Sequence, residues 1–296
     1  MQRWRSHTQV ALGKRRLAAA IALAAMLAAP GRAQQPEPIT PPAPGAPVLR
    51  AKPALWVVQR GATTIFLFGT FHTLDARTAW FGGAVRTAFD RSSELVLETV
   101  VPDDPREIGA IAARHVTAGA VAVPGGVPLK PYFAQSRAVL ASGRSLGMSV
   151  DRGADAVLRR VAIEQGKPVE GLESFEDQLS QLATIPMAPP PPPPGPVLVS
   201  GIAPAPPPTT LTDLFDDWSG GDTSAFAATI ASLKQQSPEA YRILIADRNA
   251  RWGQWIADRL ERPGTVFVAV GSGHLAGPDS VQQWLAARGI AAARVG

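Results

Sequence analysis

The period of apolar and polar positions changes several times along the chain, and each change predicts an element. LWVVQRGATTIFLFGT, residues 55–70, reads as two strands joined by a turn at Gly61. The second is apolar throughout, as a strand buried on both faces would be. ARTAWFGGAVRTAFDRS, residues 76–92, has a helical period weakened by Gly82 and Gly83, and ELVLETV, residues 94–100, returns to strand. Helices are expected over 105–117 and 132–146, and GADAVLRRVAIEQG, residues 153–166, is an amphipathic helix closed by a glycine. A short strand, KPVEGLE, follows, and Ser174 with Asp177 three residues on is a variant capping box opening the helix SFEDQLSQL. Three more helical stretches come later, the longest over 238–260, before the strand TVFVAV, the helix SVQQWLAARG and a terminal AAARV. Strands separated by helices predict an α/β fold: a mostly parallel central sheet flanked by helices, with a helical middle portion.

Two proline-rich tracts interrupt this pattern. Residues 34–53 cannot sustain a helix or a central strand and are expected to form an extended linker. The tract at 186–209 reads as a disordered, solvent-exposed insertion inside a single domain spanning 54–296; a polyproline ligand for a partner is the alternative. Ahead of both, residues 1–33 carry Arg3, Arg5, Lys14, Arg15 and Arg16, an apolar run from Leu17 to Ala29, and small residues up to Ala33. That order is a secretory signal peptide, and the run falls short of the roughly 18 to 20 apolar residues of a spanning helix. The expected location is therefore periplasmic or secreted, with membrane contact only through this segment, which becomes an anchor if left uncleaved.

Export changes the meaning of the charge. The full chain has a net charge of +5, but 1–33 hold six Lys/Arg and no acidic residue, which leaves −1 for the remainder. The basicity belongs to targeting and gives no footprint for nucleic acid. The chain has no cysteine, which excludes thiolate metal sites, thiol nucleophiles and disulfides.

In an open α/β sheet, functional groups gather beyond the carboxyl ends of the strands. That rule selects His72 after IFLFGTF, Glu98 in ELVLE, Glu173 ending KPVEGLE, and His274 after FVAVGSG. Both histidines sit in the same G-x-x-H setting, behind Gly69 and Gly271, in a chain with four histidines. These glycines are either turn residues or points where the backbone approaches a ligand closely. Thr70 and Ser272 either cap backbone amides or hold a water. His7 lies in the targeting segment and His115 on a helix, so both are read as outside the site. Arg248 and Asn249, on the long helix, either solvate it or orient substrate. Two imidazoles with one or two carboxylates suit zinc, manganese or cobalt with an open position for water, which is hydrolytic chemistry. No H-E-x-x-H, G-x-S-x-G, Walker loop or strand-following G-x-G-x-x-G is present.

The segment ALWVVQRGATTIFLFGTFHTL, the ELVLE strand, KPVEGLESFEDQLSQL, DRNARWGQWI and VFVAVGSGHLAGPDSVQQWLAARG together resemble the TraB/PrgY/GumN family, to which the Tiki proteins are related. The resemblance implies an α/β core with a site at Gly69, His72, Glu98, Gly271 and His274, and with Glu173 and Arg248 beside them. In the Tiki branch it implies a metal-dependent peptidase outside the cytoplasm. Three functions follow as expectations. The first is a metal-dependent peptidase in which His72, His274, Glu98 and Glu173 are metal candidates and Glu98, Arg248 and Asn249 catalytic ones. The others are a non-catalytic binder of a peptide or signal molecule, and a metal-free hydrolase with a histidine general base. A peptide or protein is the expected substrate, and nothing in the residues speaks to oligomeric state.

Overall fold

The computed structural model describes residues 48–120, 129–186 and 209–295; the signal segment, most of the proline-rich linker and all but the ends of the insertion lie outside the described residues. The central sheet has six strands: β1 (Leu55–Arg60), β2 (Thr63–Thr70), β3 (Glu94–Thr99), β4 (Val169–Glu173), β5 (Gly264–Gly271) and β6 (Ala292–Arg294). Their spatial order is β6-β1-β2-β5-β3-β4. The four strands from β2 to β4 run parallel, whereas β1 pairs antiparallel with both β2 and β6. The expected α/β fold with a mostly parallel sheet is therefore what forms, with an antiparallel hairpin at one side closed through Gly61 at φ 54°.

The continuous apolar runs have a direct cause. Phe66, Phe68, Leu95, Leu97, Phe267 and Ala269 enter one hydrophobic core, while Ile65, Leu67, Val96, Val266, Val268 and Val270 enter a second on the opposite face. Each central strand therefore has no polar side to show. The second core is roofed by Trp252 and Ile256 of the helix Asp247–Arg259 and by Val281 and Leu285 of the helix Val281–Ala286. Helix starts follow the capping chemistry: Ser174 accepts from the Asp177 amide, and Thr210 forms a full capping box with Asp213. Among the described residues, no helix is long and apolar enough to cross a membrane.

Three details differ from the sequence pattern. The helix expected over 76–92 begins only at Gly83, whose φ of 51° interrupts the helical period. Upstream, Thr78–Ala79 pair instead with Leu49–Arg50 as a short parallel ladder, so the last residues of the proline-rich stretch join the domain. The long helix is not uniform: a π-helical turn, Arg242–Ala246, separates Pro238–Tyr241 from Asp247–Arg259. Such turns re-phase the residues that follow, here Arg248 and Asn249.

Candidate functional site

Parallel register brings the carboxyl ends of β2, β5, β3 and β4 to one edge, and all the nominated polar residues meet there. His72 leaves β2 against the start of the helix Ala154–Glu164. The Ala154 amide donates to the Phe71 carbonyl at 2.9 Å, and a Cβ on Gly153 would lie 2.3 Å from the His72 carbonyl oxygen, so only glycine permits this approach. Asp155, in the first turn of that helix, accepts from His72 Nδ1 at 3.1 Å. This leaves Nε2 buried and without a hydrogen-bond partner. Burial disfavours the imidazolium, but the charges and hydrogen bond of Asp155, helped by Glu98, outweigh it and raise the His72 pKa above its ordinary value.

The second G-x-x-H is built differently. After β5, the 3-10 turn Ser272–Leu275 carries His274 into the interior, where it is 1% exposed. Ser272 Oγ donates to the Thr70 carbonyl at 3.0 Å, so this hydroxyl ties the two motif loops together. His274 Nδ1 lies 2.7 Å from Asn249 Oδ1 and Nε2 lies 3.2 Å from Arg248 Nη1. Because a guanidinium only donates, Nε2 must accept, which makes His274 the neutral Nδ1–H tautomer with Asn249 as acceptor. Asn249 Nδ2 donates in turn to the Asp279 carbonyl at 2.8 Å. Burial drives the His274 pKa down to about 3, with Arg248 and His72 adding to it against the opposing charge of Glu98. Its ring packs on Trp252 with centroids 4.4 Å apart.

Arg248 is the hub. It is 2% exposed, donates from Nη2 to Glu98 Oε2 at 3.0 Å and to Glu173 Oε1 at 2.5 Å, and lies 4.5 Å over the face of Trp252. The two carboxylates diverge. Burial alone would raise Glu98, but Arg248, both histidines and the Gly271 amide hold it at about 2. For Glu173, burial exceeds the help from Arg248 and its pKa is raised. Glu98 Oε1 accepts from the Gly271 amide at 2.5 Å and lies 3.7 Å from His274 Nε2.

The motif glycines act through close approach rather than through unusual backbone angles. A Cβ on Gly271 would lie 3.0 Å from Glu98 Oε1 and 3.1 Å from His72 Nε2, so the missing side chain is the gap between these two groups. A Cβ on Gly69 would lie 2.8 Å from Ser272 Oγ. His72, Glu98, Glu173, Arg248, Asn249 and His274 are thus all brought to the site. His115 stays outside, 3.0 Å from Glu176.

Three contributors carried no sequence signal. Asp155 looks like an ordinary first-turn helix acid, Trp252 like a core residue, and Tyr132 like part of a helical stripe. Tyr132 is 2% exposed, its hydroxyl makes no well-formed hydrogen bond, and burial pushes its pKa to about 12 against the opposing pull of Arg248 and Ser136, with Glu98 adding to the rise.

The donor types suit a divalent ion: two imidazoles anchored through Nδ1, a carboxylate between them, a bare His72 Nε2 and a glycine cradle. Their arrangement includes Arg248 on the His274 lone pair, and among the described residues no group of three or more His, Asp or Glu side chains is placed to hold a metal.

Fold and site together define an α/β protein with a histidine–glutamate–arginine centre at the carboxyl edge of its parallel strands. The sequence profile of the TraB/PrgY/gumN family matches residues 54–294, and the chain belongs to that family. Comparisons with curated proteins and with solved structures returned no match.

Proposed function

We propose that the protein is an exported, metal-dependent hydrolase acting on peptide bonds, with its centre between His72, Glu98 and His274. The observation that supports this most is the bare Nε2 of His72, buried beside Glu98 while Nδ1 is held by Asp155. An unpaired buried polar atom costs about 1–3 kcal/mol, and a ligand at Nε2 recovers that cost. His72 Nε2 and Glu98 are the donors open to manganese, cobalt or zinc, and His274 would join them only with Arg248 off its Nε2. When bound, such an ion supplies a Lewis acid and a bound water acidic near pH 7. Asp155 and Asn249 fix which nitrogen each histidine presents. Glu98, held near 2, is too weak a base to move protons at neutral pH and suits ligation. Glu173, pushed up by burial, is the better proton carrier of the two. Arg248 supplies fixed positive charge for a developing oxyanion.

Two contacts favour a second reading, metal-free hydrolysis: Arg248 already places a cation on His274, and Asp155–His72 has the form of a base dyad. A cleavage screen on mixed peptides, with and without chelator, separates the readings. Loss of activity in chelator, return with added manganese, cobalt or zinc, and loss in both His72→Ala and His274→Ala support the first. Chelator-resistant cleavage that fails in His72→Ala supports the second. Binding without any cleavage refutes both and leaves a non-catalytic peptide binder.

A further inference from the structure

Arg248 and a divalent ion need the same lone pair. With its proton committed to Asn249 through Nδ1, neutral His274 has one acceptor nitrogen, Nε2, and Arg248 Nη1 sits 3.2 Å from it. Arg248 Nη2 also lies 3.0 Å from Glu98 Oε2, so the same guanidinium neutralises the carboxylate that an ion would use. The arginine has somewhere to remain without these contacts. Its Nη2 and Nε hold Glu173 at 2.5 and 3.3 Å, and its guanidinium lies 4.5 Å over the Trp252 ring. A lone pair cannot serve a hydrogen bond and a metal bond together, and two cations sharing Glu98 repel.

We infer that Arg248 is a resident cation that alternates with the divalent ion: ion capture at His72, Glu98 and His274 expels Nη1 from His274, while Glu173 and Trp252 retain the displaced guanidinium. The inference rests on the metal-dependent reading of this site. Arg248 then sets the affinity, supplying positive charge to Glu98 and Glu173 when ion is scarce and weakening capture by the cost of its displacement.

The test is calorimetric titration of chelator-stripped protein with Mn2+ and Zn2+, comparing the parent with Arg248→Gln and using His72→Ala to identify binding at the site. Removing a unit positive charge this close to a ligand is expected to tighten the His72-dependent dissociation constant by about 10-fold or more. Because Arg248→Gln leaves buried Glu98 without its cation and Glu173 with only Arg251 at 3.6 Å, Arg248→Gln combined with Glu173→Gln provides a second variant with one fewer buried carboxylate, read in the same way. Tighter His72-dependent binding in either variant supports the inference. Binding that is unchanged or weaker in the folded variants, while the parent still binds through His72, overturns it and leaves the metal-dependent reading standing. Absence of His72-dependent binding in the parent and in the variants removes the metal-dependent reading and the inference with it.

Discussion

Replacing Gly271 with alanine adds one methyl group at the centre of the site. The new Cβ would lie 3.0 Å from Glu98 Oε1 and 3.1 Å from His72 Nε2, inside the ~3.5 Å of comfortable van der Waals contact. The backbone does not resist, since Gly271 has φ −54° and ψ 137°, which alanine adopts freely. Neither neighbour retreats easily. Glu98 is held by the Gly271 amide at 2.5 Å and by Arg248 at 3.0 Å, and His72 is held by Asp155 at 3.1 Å. Overpacking of this kind costs about 1–3 kcal/mol, and the stiffer unfolded chain offsets about 0.4–1 kcal/mol of that. At roughly 2–4 °C per kcal/mol for a domain of this size, the melting temperature falls by no more than about 10 °C. The variant therefore folds, yet the methyl group fills the place where a ligand would meet His72 Nε2. Scanning calorimetry with and without added metal, beside the peptide screen, should show a folded protein that has lost metal-dependent stabilisation and cleavage. A folded Gly271→Ala that keeps both within about twofold of the parent would refute the argument and return Gly271 to the role of a turn residue.

Asn249→Ala leaves the His274 Nδ1–H and the Asp279 carbonyl without partners. A loss of about 2–4 kcal/mol in urea unfolding is expected, and a loss below about 1 kcal/mol would show that Asn249 does not hold the histidine. The pH dependence of stability in chelator should carry the mark of His274. Its folded pKa of about 3 lies below the ordinary 6.5, so the unfolded chain binds a proton that the folded one refuses. That stability is present above pH 6.5 and drains as pH falls toward 3, by up to about 1.4 kcal/mol per unit. Between pH 5 and 6.5, His274→Gln should flatten the slope; an unchanged slope contradicts the assignment. His72, with a raised folded pKa, works in the opposite direction and loses its contribution as pH rises above 6.5. Tyr132→Phe removes a buried hydroxyl that makes no well-formed hydrogen bond and has Ser136 as its nearest polar influence, so stability should stay within about 1 kcal/mol of the parent. A loss of more than about 1 kcal/mol in the same urea experiment would reveal a structural bond for that hydroxyl.

Much of the fold was legible because burial on both faces leaves an unbroken apolar run, and β2, β3 and β5 each have one. Where local signals competed, the reading erred. Gly82 and Gly83 weakened the period over 76–92, yet pairing of Thr78–Ala79 with Leu49–Arg50, a contact between distant segments, decided the outcome. The nominated site residues were legible through the strand-end rule, which needs only the strands and their direction. Asp155, Trp252 and Tyr132 were not, because their residue types and periods match ordinary helix positions. Only the packing of those helices against the strand ends gives them polar neighbours.

By itself, the sequence determined which strands are buried, which strand ends face the same edge, and hence that His72, Glu98, Glu173 and His274 gather there. It also supplied the paired G-x-x-H on which the resemblance to the family rests. The tertiary structure decided how these groups differ from one another. The two histidines share a motif, yet His72 is backed by a carboxylate and left open at Nε2, whereas His274 is backed by an amide and closed by Arg248. Glu98 and Glu173 share one guanidinium, yet their proton affinities move in opposite directions. These asymmetries come from through-space desolvation and charge in a buried cluster assembled from segments far apart in the chain, and no local pattern encodes those distances.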